Sequence, residues 1–184
     1  MALNKQGGRI LPGRAAWLIV MFVLGILLLP GCKTMSINYS FSGVNISPEI
    51  KTVTIEYFPN RAPVVQAQLS QLFTDALVDK IQSNTSLEQV PAGGDVVFSG
   101  EIRNYETKPT AITGNETAAR NRLTISISVV YTNNIEPDAS FESSFSRYED
   151  YDSGQNLADV EEELIELIIE NILEDIFNKA FVNW

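Results

Sequence analysis

The sequence predicts an α+β protein: a two-layer sandwich of four strands in a mainly antiparallel mixed sheet, with two helices packed on one face, in the order β-α-β-β-β-α. Two observations carry this expectation. Each candidate strand alternates apolar and polar residues, so each has one face for a core and one for water. Two longer stretches repeat their apolar residues at helical spacing and need the same core.

Thr52–Phe58 alternates, placing Val53, Ile55 and Tyr57 on one expected inner face. Pro59–Pro63 is a turn, and a helix is predicted from about Val64 to Ser83, with Leu69, Leu72, Phe73, Ala76, Leu77 and Ile81 inward. Ala92–Asp95 turns again. Val96, Phe98, Gly100 and Ile102 then form the inner face of the second strand, and Pro109 to about Asn115 reads as a long hairpin tip. Arg122–Thr132 is the clearest strand, with Leu123, Ile125, Ile127, Val129 and Tyr131 inward, and Phe141–Tyr148 is the fourth. The last helix runs from about Leu157 to Ala180. Asn156 is its expected N-cap, acids sit near its positive end and Lys179 near its negative end. Leu157, Val160, Leu164, Leu167, Ile168, Ile172 and Ile176 form the expected buried stripe, opposite a glutamate-rich wet face.

The amino-terminal 31 residues follow a different logic. Lys5, Arg9 and Arg14 precede an apolar run, Ala15–Leu29, that is too short for a membrane span and suited to an export signal. Leu29-Pro30-Gly31-Cys32 closes it in the pattern of a lipoprotein signal, with Pro30 the irregular position. Residues 1–31 are therefore expected to be removed as a signal peptide. Cys32, the only cysteine, would carry a diacylglycerol and an N-acyl chain, and residues 32–50 would tether a domain spanning 51–184. Ile37–Phe41 alternates and could add a short strand within the tether.

Loss of residues 1–31 removes three positive charges and no negative ones. The remaining 153 residues hold 10 basic and 23 acidic side chains, a net charge of −13. That balance argues against nucleic acid, whose affinity comes from neutralising phosphates with Lys and Arg. No histidine is present, so imidazole-based catalysis and metal ligation are excluded. No phosphate-cradling glycine loop or serine elbow occurs, and no cofactor or catalytic residue is expected. Asp150, Asp152 and Glu161 echo positions 1, 3 and 12 of a calcium loop. Gly154 and Gln155, however, replace the needed ligand and glycine, so the stretch reads as a strand end leading into a helix cap. The Asn-X-Ser/Thr triplets at Asn38, Asn84 and Asn115 read as chance in an exported bacterial lipoprotein.

One surface constellation suggests binding. With the second and third strands paired about a tip near Thr113-Gly114, Arg103 would lie close to Thr124 and Tyr105 close to Arg122. Arg103, Arg120 and Arg122 then share the solvent face, with Lys108 near the tip. Such a basic spot would suit lipid phosphates or an acidic patch on a partner. The competing reading is ordinary pairing of these cations with Glu101, Glu106 and Glu116.

Five strings carry a family resemblance: Tyr39–Gly43, Tyr57–Pro63, Asn121–Ile125, Phe145–Asp152 and Asp175–Trp184. In their number and order they resemble a divergent branch of the LptE lipopolysaccharide-assembly lipoproteins. The resemblance implies an outer-membrane lipoprotein facing the periplasm. It would serve as a non-enzymatic plug and assembly partner of the LptD β-barrel, and lipopolysaccharide is a possible direct ligand. The alternative is a scaffold lipoprotein of another envelope assembly, in barrel biogenesis or the envelope lattice. The family's ligand-contacting positions cannot be matched here by motif, so Arg103, Lys108, Arg120 and Arg122 rest on the sheet argument alone.

Overall fold

The computed structural model describes residues 45–110 and 119–182. The expected lipidation site Cys32, residues 32–44 of the expected tether with Ile37–Phe41, residues 111–115 of the expected hairpin tip and Trp184 lie outside them. Strand β1 (Thr52–Ile55) leads into helix α1 (Leu69–Asn84) and a two-residue strand β2 (Glu88–Gln89). The long strands β3 (Val96–Thr110), β4 (Arg120–Asn133) and β5 (Phe141–Asp152) follow, and helix α2 (Leu157–Phe181) closes the chain. The sheet order is β2-β1-β3-β4-β5. Strand β1 runs parallel to both neighbours and the rest is antiparallel, so the class is the expected one with a short fifth strand added at an edge.

One face of the sheet carries the core. Val96, Phe98, Ile102 and Tyr105 from β3 and Leu123, Ile125, Ile127, Val129 and Tyr131 from β4 are buried against Phe73, Leu77 and Ile81 of α1 and Ile165, Ile168, Ile172 and Ile176 of α2. Asn156 caps α2 as expected, its side chain accepting from the Ala158 amide. Helix α1 begins five residues later than the periodicity suggests. The carboxamide of Gln66 accepts from the amides of Gln68 (2.7 Å) and Leu69 (2.9 Å), which fixes the first turn there and leaves Val64 and Val65 exposed ahead of it.

Three inner-face assignments are corrected. Tyr57 is 58 % exposed, because β1 stops at Ile55 and the chain changes phase. The Phe58 amide donates to the Thr74 hydroxyl of α1 (3.2 Å), and its ring goes under the sheet instead. Leu72 (36 %) and Leu167 (42 %) sit at the margins of their helical stripes and remain partly in water. Both helices pack on the sheet and on each other, so the covered arc of each is displaced from the arc their periodicity centres on.

Past β1 the chain continues beside β3. The Ile102 amide donates to the Pro59 carbonyl (3.0 Å) and the Arg61 amide to the Ile102 carbonyl (2.8 Å). On its other side β3 slips register between Ile102 and Asn104, leaving Arg103 as the extra residue of a bulge. Gly100 sits just before it with φ of 155°. A Cβ there would stand 2.0 Å from the Ser128 carbonyl oxygen and 2.7 Å from the Phe58 ring, so only glycine lets strand β4 and Phe58 approach this closely.

At the start of β1, Asp95 holds the amides of Lys51 (2.8 Å) and Thr52 (2.9 Å). These backbone donors keep its carboxyl below the ordinary carboxylate range. Gly94 permits that loop to lie against β1, since a Cβ would meet the Thr54 backbone at 2.8 Å.

Candidate functional site

The face of the sheet away from the helices is a polar surface arranged in cross-strand rows. From one end they run Ser99–Val130–Glu142, Glu101–Ser128–Ser144, Asn104–Ser126–Ser146, Glu106–Thr124–Tyr148 and Lys108–Arg122–Asp150. Short hydroxyl side chains occupy the middle, where Ser126 and Ser146 share a hydrogen bond of 2.8 Å. Alternation with a fully buried inner face produces this arrangement: every residue that β4 buries forces its neighbours outward.

The observed register corrects the expected one. Lys108, not Tyr105, lies opposite Arg122, and Thr124 faces Glu106 rather than Arg103. The observed pairing on the hairpin side of Arg103 is offset by three residues from the expected one. The four candidate cations are therefore only partly gathered. Lys108, Arg120 and Arg122 cluster toward the far end of the β3–β4 hairpin, and Arg103 stands apart at the bulge.

Three of them are engaged by carboxylates. Arg103 pairs with Glu101 at 2.7 Å, and Lys108 with Glu106 at 2.8 Å. Arg122 makes a forked contact with Asp150, at 2.7 and 2.9 Å, and its guanidinium lies over the Tyr148 ring, 3.6 Å from the centroid. Hydrogen bonding to Arg122 holds the Asp150 carboxyl below its ordinary range, with Arg120 adding a smaller charge effect, and Asp150 in turn raises Arg122. Arg120 is exposed and lines a hollow of about 420 Å³ between the end of β5 and the first turns of α2, together with Gln155, Val160 and Glu163. Sequence reasoning did not single out Asp150 and Tyr148 as the partners of Arg122. Their two-residue spacing put them on one face of β5, but only the register sets that face against Arg122.

The residues at calcium-loop spacing are each turned to a protein donor. Asp150 accepts from Arg122, Asp152 accepts from the Gly154 amide (2.7 Å), and Glu161 accepts from the Tyr105 hydroxyl. Burial, reinforced by Glu161, raises the Tyr105 phenol well above its usual range, so Tyr105 stays a donor. Among the described residues no helix is long and apolar enough to cross a membrane, and no group of three or more potential metal ligands occurs.

The fold and this surface define a two-layer α+β domain with a polar, charge-paired outer sheet face. A search of curated proteins finds no match. The profile of the family described as LptE, lipopolysaccharide-assembly, matches residues 50–180, and the chain belongs to that family. Several solved structures resemble this chain at low identity. A putative neuraminyllactose-binding hemagglutinin homolog from Helicobacter pylori is 9 % identical, covering 77 % of this chain and 88 % of its own at a TM-score of 0.51. The rare lipoprotein B from Shewanella oneidensis is 11 % identical, covering 68 % and 89 % at 0.41. A minor lipoprotein from Acinetobacter baumannii is 10 % identical, covering 71 % and 92 % at 0.42.

Proposed function

We propose that this protein is a non-enzymatic, lipid-anchored subunit of the lipopolysaccharide-assembly machinery at the outer membrane. In this reading it is acylated at Cys32, faces the periplasm, and acts as the plug and assembly partner of an LptD-like β-barrel. The observation that carries the proposal is the family match across residues 50–180. The outer sheet face adds physical support. A plug must present a surface that tolerates a hydrophilic barrel lumen, and paired charges with rows of serine and threonine meet that need. A lipid on Cys32 would keep the domain at one membrane without a transmembrane helix.

Direct contact with lipopolysaccharide is assigned to the far end of the hairpin, where Lys108, Arg120 and Arg122 lie on neighbouring positions. An incoming phosphate would compete with Glu106 and Asp150 for these cations, so binding there is an exchange of anions and not the filling of a bare basic patch.

The test is a pull-down of a C-terminally tagged copy from gently solubilised membranes. A stoichiometric large outer-membrane β-barrel is the expected companion, and depletion should reduce surface lipopolysaccharide. Recovery without such a barrel, with lipopolysaccharide export intact, overturns the proposal in favour of a scaffold in another envelope assembly.

A further inference from the structure

The two helices leave an open groove between them on the side away from the sheet, with a volume of about 850 Å³. Its floor is apolar, made by Leu72 and Ala76 of α1 and Ile169 and Leu173 of α2. Its rims are acidic: Asp75 and Asp79 on one bank, Glu166 and Glu170 on the other, all exposed. Among the described residues Lys80 is the one cation in the lining, and it is already committed. It reaches Glu174 at 2.5 Å and lies 5.8 Å from the Phe177 ring centroid.

We propose that this groove docks a cationic amphipathic segment of a partner protein, its apolar side chains on the Leu72–Ala76–Ile169–Leu173 floor and its Lys or Arg side chains against the two acidic banks. The charges select the occupant. A second copy of this acidic chain and an anionic lipid surface would both set negative charge against negative charge across a narrow gap, whereas a basic segment relieves the repulsion between the banks. The floor supplies what charge alone does not. Leu72 is more than a third exposed on a helix whose Leu69, Phe73, Leu77 and Ile81 are buried, and covering it gains apolar burial. The groove also accepts a helix by shape, since ridges between two packed helices form a trough that a third helix can enter. This inference does not rest on the barrel partnership, because the groove lies on the helical layer, opposite the sheet face invoked above.

The full chain, purified in a neutral detergent, would be titrated with a fluorescent amphipathic helix of about four turns carrying leucines at three- and four-residue spacing and lysines on both flanks. Saturable binding is expected, weakened about tenfold or more by the paired substitution Asp79→Lys and Glu170→Lys. The matched reversal Asp138→Lys and Glu142→Lys, at exposed positions outside the groove, changes the same overall charge and should alter affinity by less than about twofold. Two further probes complete the test: the helix with its lysines changed to glutamate, and the helix with its leucines changed to serine. Both should bind at least about tenfold more weakly. Equal loss from the two pairs of substitutions would mean attraction to an acidic protein in general and would overturn the proposal. Undiminished binding of the serine helix would do the same, by removing the floor from the interaction. Thermal melts of each variant confirm that the exposed substitutions leave the fold intact. Failure here leaves the barrel pull-down unaffected, and failure of the pull-down leaves this titration standing.

Discussion

The β3–β4–β5 ladder is one continuous piece of sheet, yet its two ends are held by different chemistry. At the end near Val96, Asn133 and Phe141, aromatic rings dominate. Phe98 lies 4.9 Å from Tyr131, Tyr131 lies 5.2 Å from Phe141, and Phe181 of α2 meets both Phe98 and Tyr131 at 5.9 and 6.1 Å. Burial pushes the Tyr131 phenol up to about 12, so that ring is also uncharged at any physiological pH. Beyond the bulge at Arg103 the rings give way to polar links: Tyr105 to Glu161, Arg122 to Asp150, and the Arg122 guanidinium over Tyr148. Thr107, Lys108 and Pro109 are exposed. The near end is dominated by packed rings, whereas the far end adds charge pairs and hydrogen bonds to its buried Leu123, Ile125 and Tyr151. A far end of that kind can trade its partners without costing the domain its core, which suits a surface offered to another molecule.

The largest effect separating the two ends should come from Gly100→Ala. The added methyl has no room, being aimed at the Ser128 carbonyl and the Phe58 ring, and the strand cannot retreat because it is paired on both sides. A loss of about 3 kcal/mol or more is expected in urea unfolding followed by circular dichroism. A loss below about 1 kcal/mol would show that the near end is more loosely packed than the geometry indicates.

Tyr105→Phe should cost less, about 1–2 kcal/mol, by leaving the Glu161 carboxylate without its donor while preserving the ring. The same measurement checks it, and a wild-type stability would mean that water replaces the phenol at no cost. If this loss equalled that of Gly100→Ala, the contrast between the ends would collapse.

The contrast also explains what could be read from the sequence. Both helices, the long strands and the inner face of β4 follow from periodicity, because a buried face imposes its period on the chain whatever lies around it. Leu72 and Leu167 fall outside that logic, since their exposure depends on where two helices meet each other and not on either helix alone. Arg103 is harder still. A bulge inserts one residue and moves every later residue into a new pairing, and it sits beside Ile102, whose other edge is bonded to the Pro59–Arg61 segment some forty residues away in the chain. The candidate cations were legible as outward-facing residues, but their carboxylate partners were not, because the pairing of Arg122 with Asp150 needs the β4–β5 register, which the period of either strand alone does not fix. The inter-helix groove had no sequence signal of its own. Its four acids lie on two helices and read there as solvated faces.

The smallest effect belongs to the Arg122–Asp150 pair, and its pH dependence is what distinguishes it. Asp150 titrates below its ordinary value of 3.8 because Arg122 binds the carboxylate form. The stabilisation it provides is therefore fully present above that value and is lost as pH falls through the lower, folded-state value. Asp150→Asn should lower the melting temperature slightly at neutral pH, and the difference from the unsubstituted protein should shrink toward zero as the solution is made more acidic than pH 3.8. Asp95 is depressed in the same direction by the amides of Lys51 and Thr52, so acid weakens both proteins. Only the difference between them isolates the far end. Addition of inorganic phosphate at neutral pH sharpens the comparison, since Asp150→Asn withdraws the resident anion from Arg122. If the hairpin end is an anion-exchange site, phosphate should raise the melting temperature of the Asp150→Asn protein more than that of the unsubstituted one. Equal shifts would mean that Asp150 does not compete for the site and that the fork to Arg122 serves only to brace the sheet.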